Sequence, residues 1–170
     1  MHEIREAKPT EFSQLGELLV TVYAQLEGFP GPDKIPGYYR ILKDIGDFTK
    51  HPKAKLFVAI SDKGVIDGGL VYFGDMRYYG AGGEATTNQK GAAFRLLGVN
   101  PETRGKGLGG LLIKACISQA KKENHKHLLI HSTKSMMTAW KMYERIGFVR
   151  YPEIDFNQNN VSVFGFRLTL

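Results

Sequence analysis

A glycine-rich segment, Arg104–Gly110, connects two regular patterns and constrains the fold more than any other feature of the chain. The preceding segment, Ala92–Val99, is short and apolar and is closed by Asn100–Pro101, which predicts a buried strand. After the glycines, apolar residues recur at helical spacing, which predicts a long helix from about Gly107 to Asn124. A strand that passes through glycines directly into a helix is typical of a fold that layers helices on a sheet.

The rest of the chain alternates between helical and strand patterns. Helical spacing predicts helices over about 10–26, 37–51 and 136–145, and apolar segments predict strands near 4, 56–60, 65–73, 128–130, 148–151 and 161–170. The stretch Gly74–Gly91 has no pattern, and loops of this length are usually functional or mobile. The order β-α-α-β-β-β-α-β-α-β-β predicts one mixed α/β (α+β) domain over residues 1–170.

Composition excludes several classes of protein. Of 170 residues, 42% are apolar and 24% charged, as in soluble globular domains. The single cysteine, Cys116, cannot form an intramolecular disulfide, and the sequence has no Cys/His spacing typical of a metal site. No apolar run reaches the roughly 18 to 20 residues of a membrane span, and the charged start Met1–Glu6 does not resemble a signal peptide. We therefore expect a cytoplasmic protein without a metal or a membrane partner.

The net charge of +6 favours anionic partners. Nucleic acid is one candidate, but the Lys and Arg residues are scattered and form no known nucleic-acid motif. A phosphorylated small molecule fits the charge equally well, and we expect no nucleic-acid partner.

The glycine segment has the chemistry of an anion site. A glycine inside a helix costs about 0.5 to 1 kcal/mol relative to alanine, so several at one helix start suggest close approach of a ligand. Helix N-termini favour acidic residues, yet Arg104 and Lys106 are found here instead. Free N–H groups, the helix dipole and two cations together form a phosphate cradle. The competing interpretation is a flexible glycine turn with solvated cations.

Two familiar phosphate motifs do not match this segment. A P-loop requires Ser or Thr after its Gly-Lys, and here Gly107 follows Lys106. A dinucleotide fingerprint follows the first strand of a βαβ unit, with an acidic residue about 20 positions on, and neither condition holds. The anion is thus expected to be a pyrophosphate on a different scaffold.

Two motifs resemble those of the GNAT superfamily of N-acetyltransferases. Phe94–Pro101 followed by Arg104–Gly109 is similar to the R/Q-x-x-G-x-G/A pattern after that family's fourth strand, and Met142–Phe148 is similar to its Y-E-x-x-G-F stretch. One helix and one strand separate the two motifs, as in that fold. The ending, Arg150–Phe156 followed by Val161–Leu170, resembles a bacterial subgroup whose acceptor is often unassigned.

The resemblance implies a twisted, mostly antiparallel sheet of about seven strands, flanked by about four helices and splayed between strands 4 and 5. Acetyl-CoA is then expected in a V-shaped opening between Ala92–Val99 and Lys126–His131. Backbone groups of Leu97 and Val99 would pair with pantetheine, and N–H groups of Gly105–Gly110 would hold the pyrophosphate. Many members carry Asn where this chain has Met136, so the hydrogen bond of that Asn to pantetheine is not available here. The implied cofactor-binding residues are Leu97, Gly98, Val99, Arg104, Gly105, Lys106, Gly107, Leu108, Gly109, Gly110 and Met136.

The resemblance also assigns Tyr143 as the catalytic acid, because a phenol near the thioester sulfur can protonate the leaving thiolate. The base is open. An amine of pKa near 10.4 is rarely neutral at pH 7, so a proton acceptor should help it. The candidates for this base are Glu84, His131, Glu153 and Asp155. Arg95 alternates with apolar neighbours on the fourth strand, where an ion pair or an anionic acceptor group would satisfy its charge.

The predicted function is transfer of an acetyl group from acetyl-CoA to a primary amine, on a small molecule or peptide, by direct attack in a ternary complex. The alternative is a non-catalytic acyl-CoA-binding or sensor module, suggested by Met136 and by the absence of an acid on the fourth strand. Family members are often dimers, so a homodimer is a further expectation by analogy. Spacing gives no indication of the acceptor.

Overall fold

The computed structural model describes the backbone of residues 1–170 and every side chain except those of Glu84 and Ala85. The strands are β1 (His2–Glu6), β2 (Ala54–Ser61), β3 (Ile66–Phe73), β4 (Ala92–Val99), β5 (His127–Ser132), β6 (Val149–Arg150), β7 (Phe156–Gln158) and β8 (Val161–Thr169). The α-helices are α1 (Phe12–Ala24), α2 (Pro36–Lys43), α3 (Glu84–Thr87), α4 (Leu108–Lys122) and α5 (Met137–Ile146).

The sheet has the order β1-β2-β3-β4-β5-β8-β6, and β7 forms a short hairpin with β8. Within this sheet the β4–β5 pair is parallel, and the other neighbouring strands are antiparallel. The expected mixed, mostly antiparallel sheet is confirmed. The structure has eight strands rather than about seven; the additional strand is β7, which is only three residues long. Asn159–Asn160 connect β7 to β8, and their positive φ angles of 51° and 63° suit a tight hairpin.

Two hydrophobic cores lie on opposite faces of the sheet. Helices α1 and α2 cover the first face, where Ala93, Leu96 and Leu129 point into the core. Helices α4 and α5 cover the second face, which receives Phe94 and Leu128. Alternate residues of one strand point to opposite faces, so β4 and β5 contribute to both cores.

Two expectations about elements need correction. The second helix ends at Lys43 rather than His51 and continues as a 3-10 helix over Ile45–Lys50. The chain turns tightly there because Gly46 packs on Phe12, whose ring would lie 2.5 Å from a Cβ at this position. The stretch Gly74–Gly91 contains a 3-10 turn and α3, which adds a fifth helix to the expected four.

In the described part of the chain, no helix has both the length and the apolar character to cross a membrane.

Candidate active site

Strands β4 and β5 pair over only two residues before they separate. Ala92 pairs with Leu128 and Ala93 with Leu129, yet β4 runs on to Val99 and β5 to Ser132. Their facing backbone edges beyond these pairs are not hydrogen-bonded to one another in the described sheet. The expected splay between strands 4 and 5 is therefore confirmed, and it opens at the carboxyl ends of both strands.

A bulge in β4 shapes one edge of this opening. Val71 of β3 pairs with Arg95 and Gly69 with Gly98, so β4 has one residue more than β3 between the two pairs. Leu96 takes up the extra length with a φ of +60°, in the left-handed region that costs a leucine about 1 to 2 kcal/mol. A local conformation this costly must be held by its surroundings, and such conformations concentrate at functional sites.

Three predicted cofactor residues, Leu97, Gly98 and Val99, complete β4 beyond the bulge. The Leu97 carbonyl accepts a hydrogen bond from the Tyr23 hydroxyl of α1 at 3.1 Å. A carbonyl oxygen has two lone pairs, so this contact leaves it able to accept a second bond. Gly98 is needed for packing, since a Cβ there would lie 2.7 Å from Leu19 of α1.

The glycine segment begins α4 and exposes its backbone. Gly105 and Gly107 have φ angles of +83° and +75°, which glycine adopts without strain. The first helix-like hydrogen bond is donated by Leu111 to the Gly107 carbonyl, at 3.1 Å, so the N–H groups before it lie in the free first turn. Arg104 and Lys106 are exposed, and the first turn contains no acidic residue. The segment thus has the geometry and charge of an anion cradle.

Two further glycines of this segment serve different needs. A Cβ at Gly109 would lie 3.2 Å from the Met142 sulfur, so this glycine lets α4 and α5 approach closely. A Cβ at Gly110 would meet nothing within 4 Å, and its backbone is not in the left-handed region. Packing therefore accounts for Gly109 but gives no reason for Gly110. Leu108, also predicted to bind the cofactor, is buried in the second core.

Tyr143 lies on the buried side of α5 and is 6% exposed. Its ring packs against Phe94 of β4 at 6.0 Å and Phe148 at 5.8 Å between centroids. Gly147 ends α5 with a φ of +115°, and the Phe148 N–H bonds back to the Tyr143 carbonyl at 3.0 Å. These contacts explain Gly147 and Phe148 of the Met142–Phe148 motif. Gly147 reverses the chain, and Phe148 then packs against the Tyr143 ring. Burial raises the pKa of Tyr143, so its hydroxyl keeps its proton at neutral pH.

His131, at the end of β5, belongs to a hydrogen-bonded chain on the first face. Its Nε2 lies 2.7 Å from the Ile154 carbonyl, and its Nδ1 lies 3.0 Å from the Tyr79 hydroxyl. The carbonyl can only accept, so Nε2 carries the proton and the neutral ring accepts from Tyr79 at Nδ1. Burial lowers the pKa of His131, which keeps the ring neutral. Sequence reasoning missed Tyr79 because it lies in the patternless stretch before β4.

The other candidate bases lie in different surroundings. Asp155 is bonded to Arg150 at 2.6 Å and to the Gly165 N–H at 2.6 Å, and these contacts lower its pKa despite burial. Glu153 is exposed and accepts a hydrogen bond from the Tyr151 hydroxyl at 2.7 Å. The side chain of Glu84 lies outside the described residues. Among the described candidates, only His131 combines burial with a basic nitrogen that accepts a hydrogen bond from another titratable group, the Tyr79 hydroxyl.

Two further side chains lie near the end of β5. Met136, where the family resemblance leads one to expect Asn, is half-buried and packs against the first core. Ser132 is 2% exposed, and its hydroxyl has no hydrogen-bond partner among the described residues. A buried hydroxyl without a partner costs about 1 to 3 kcal/mol, so it is available to a bound group.

A family model described as an acetyltransferase (GNAT) domain matches residues 67–170, which include the splayed strands, the glycine segment and α5. The chain belongs to the GNAT acetyltransferase family. An uncharacterized N-acetyltransferase of Dictyostelium discoideum is 30% identical over 77 residues, which are 45% of this chain and 36% of that protein. The match thus spans about a third of the relative's length.

Solved GNAT-type structures share the fold over nearly the whole chain. A GNAT acetyltransferase from Staphylococcus aureus Mu50 is 16% identical, with a TM-score of 0.75 and coverage of 100% of this chain and 99% of that one. The PaiA N-acetyltransferase from Thermoplasma acidophilum, in complex with coenzyme A, is 13% identical, with a TM-score of 0.74 and coverage of 97% and 98%. The NatC complex bound to Gag peptide and CoA includes a chain that is 17% identical, with a TM-score of 0.65 and coverage of 99% and 98%. At these identities the likeness extends to the fold alone.

Proposed function

We propose that this GNAT protein transfers an acetyl group from acetyl-CoA to a primary amine within a ternary complex. The observation that carries the proposal is the coincidence of an open β4–β5 edge with an exposed, cationic helix start at Gly105–Gly110. Two solved relatives in fold, PaiA and NatC, are in complex with CoA. When bound, acetyl-CoA supplies the acyl group as a reactive thioester.

The residues fit such a ligand in three places. First-turn N–H groups of α4, together with Arg104 and Lys106, suit its pyrophosphate. The free edge of β4 at Leu97 and Val99 offers backbone groups to an amide-bearing arm. With Met136 in place of Asn, the buried hydroxyl of Ser132 is an alternative polar contact at the same end of the opening.

The chain also offers groups for both proton movements of amine acylation. Tyr143 stays protonated and can donate to a leaving thiolate. For the amine proton, the Tyr79–His131 pair can act as a relay: Tyr79 accepts the proton as it passes its own to Nδ1 of His131. The Ile154 carbonyl, bonded to Nε2, continues to accept from the resulting imidazolium.

The test is thiol release from acetyl-CoA across a panel of primary amines, with acetyl-CoA affinity measured in parallel by calorimetry. We expect acetyl-CoA to bind and at least one amine to be acetylated, as verified by mass spectrometry of the product. Tight binding without turnover of any amine would favour the non-catalytic sensor. Failure to bind acetyl-CoA would refute both functions.

A further inference from the structure

Arg95 is a half-buried cation on the first face of the sheet, immediately before the β4 bulge. Its Nη1 donates to the Tyr79 carbonyl at 3.1 Å, and its guanidinium carbon lies 5.9 Å from the centre of the Phe48 ring. Among the described residues, no carboxylate lies within 4 Å of it, and Nε and Nη2 donate no hydrogen bond. One edge of the guanidinium, with two parallel donors, is therefore available.

Of the other three half-buried arginines, Arg5 and Arg150 each hold a carboxylate, while Arg167 stacks on the Tyr151 ring at 4.2 Å. Arg5 holds Glu11 through two hydrogen bonds of 3.0 and 2.8 Å. Arg150 holds Asp155 in the same forked manner, at 3.0 and 2.6 Å. Partial burial makes an unpaired charge costly, and a planar carboxylate matches the two donors of a guanidinium edge. Arg95 also carries a half-buried charge, but no carboxylate is bonded to it among the described residues.

Arg95 also faces the groups that would receive the acceptor. Its contact with Tyr79 joins it to the residue that donates to His131. Burial is the main cause of the lowered pKa of His131, and the charge of Arg95 acts in the same direction. For Tyr79, and for Tyr38 of α2, burial raises the pKa and the charge of Arg95 opposes that rise. Arg95, Tyr79 and the neutral imidazole of His131 are therefore joined by hydrogen bonds on the first face of the sheet, opposite the helix that carries Tyr143.

We propose that Arg95 is a substrate-binding residue that holds a carboxylate of the acceptor through Nε and Nη2, so that the acceptor is an amine that also carries a carboxylate, such as an amino acid. This assignment rests on the proposed acetyl transfer. Direct attack requires the amine to be uncharged while the carboxylate remains ionised, and the two groups would be held by different parts of this face. The net charge of +6 favours such an acceptor over a cationic polyamine.

Matched probes test the assignment: the common α-amino acids and 4-aminobutyrate, each as the free acid and as the carboxamide. Binding to the protein saturated with CoA is measured by calorimetry, and turnover is measured by thiol release from acetyl-CoA. We expect at least one free acid to bind and react, with its carboxamide poorer by about 10- to 100-fold in kcat/KM, the range of a lost charged hydrogen bond.

Arg95→Gln should reduce the acid-to-amide ratio to near one, and Arg95→Lys, which keeps the charge but loses the fork, should restore only part of it. Arg77→Gln is the matched control, because Arg77 is 73% exposed and lies just outside the same region. It should keep the ratio. Acetyl-CoA affinity and melting temperature verify that each variant is folded.

Two outcomes would overturn the role of Arg95 while leaving acetyl transfer intact: turnover only of amines that lack a carboxylate, or an acid preference that survives Arg95→Gln. If no amine is turned over, the proposed function fails, and the calorimetry then decides on Arg95 separately. Carboxylate binding that Arg95→Gln abolishes supports the assignment, and the absence of any carboxylate binding refutes it.

Discussion

At the scale of single residues, the hydroxyl of Tyr143 is the sharpest test of catalysis. Phenylalanine retains the ring that packs on Phe94 and Phe148. We expect Tyr143→Phe to lower kcat by about 100-fold or more, since general acids contribute on that order, with little change in acetyl-CoA affinity. Steady-state kinetics and calorimetry measure the two effects.

Tyr72→Phe provides the control for this variant. Tyr72 is a fully buried phenol of the same core, but its hydroxyl donates to Glu123 at 2.7 Å. Because the acceptor is a carboxylate, loss of this bond should reduce stability by about 1.5 to 3 kcal/mol and leave kcat unchanged. Equal turnover by Tyr143→Phe and the parent protein would remove Tyr143 from its assigned role.

The lowered pKa of His131 makes the stability of the protein depend on pH. Burial holds its folded-state pKa below the usual value of 6.5, so the unfolded chain binds the proton first as the pH falls. Stability is therefore complete above about pH 6.5 and decreases below it, by up to about 1.4 kcal/mol per pH unit for one group. His127 has the same sign, since burial also lowers its pKa.

Urea unfolding at pH 7.5, 6.5 and 5.5 measures this loss, in a range above the titration of the carboxylates. His131→Gln should flatten the dependence more than His127→Gln, because His131 is the more enclosed of the two and holds two hydrogen bonds. An unchanged slope in His131→Gln would mean that folding does not shift the pKa of His131 and would contradict the effect of burial.

At the scale of elements, Gly110 separates helix stability from ligand binding. It lies in the first turn of α4, where a Cβ would meet nothing within 4 Å. Gly110→Ala should stabilise the free protein by up to about 1 kcal/mol, since alanine is the better helix former. It should also weaken acetyl-CoA binding by about tenfold, because the added methyl group occupies space that the pyrophosphate approaches.

Gly37→Ala is the matched control, since Gly37 lies in the first turn of α2 with equally open surroundings. Thermal melts should show a similar gain in stability for both variants, and calorimetry should show an affinity loss for Gly110→Ala alone. Unchanged affinity in both would indicate that the glycine segment is a turn rather than a cradle.

The sequence predicts elements well where their causes are local. The start of α4 and the fold-back after Gly147 each depend on neighbouring residues, and both were predictable from motifs. The short hairpin β7–β8 was not, because three residues are too few to show alternation. The predicted length of α2 was also wrong, because the turn at Gly46 depends on its packing against Phe12, which is far away in the sequence.

At the scale of the whole molecule, the candidate site depends on contacts between distant parts of the chain. The Tyr79–His131 bond joins residues 52 positions apart, and the Tyr23–Leu97 bond joins residues 74 apart. No periodicity or spacing encodes such pairs, so the relay and the available edge of Arg95 emerge only from the folded chain. Family resemblance supplied the opening and Tyr143, but not the groups on the first face.

The narrow junction between the two parts of the sheet predicts where CoA slows hydrogen exchange. The β1–β4 part of the sheet joins the β5-β8-β6 part through two residue pairs, so the edges of the opening lack partners that the rest of the sheet has. Hydrogen exchange with and without CoA should therefore show the greatest slowing at 96–99 and 105–111, and little at the β2–β3 turn. Inorganic pyrophosphate should protect only 105–111, because it can occupy the cradle but not pair with β4. Uniform slowing across the sheet would reflect general stabilisation by a ligand and would contradict binding in the opening.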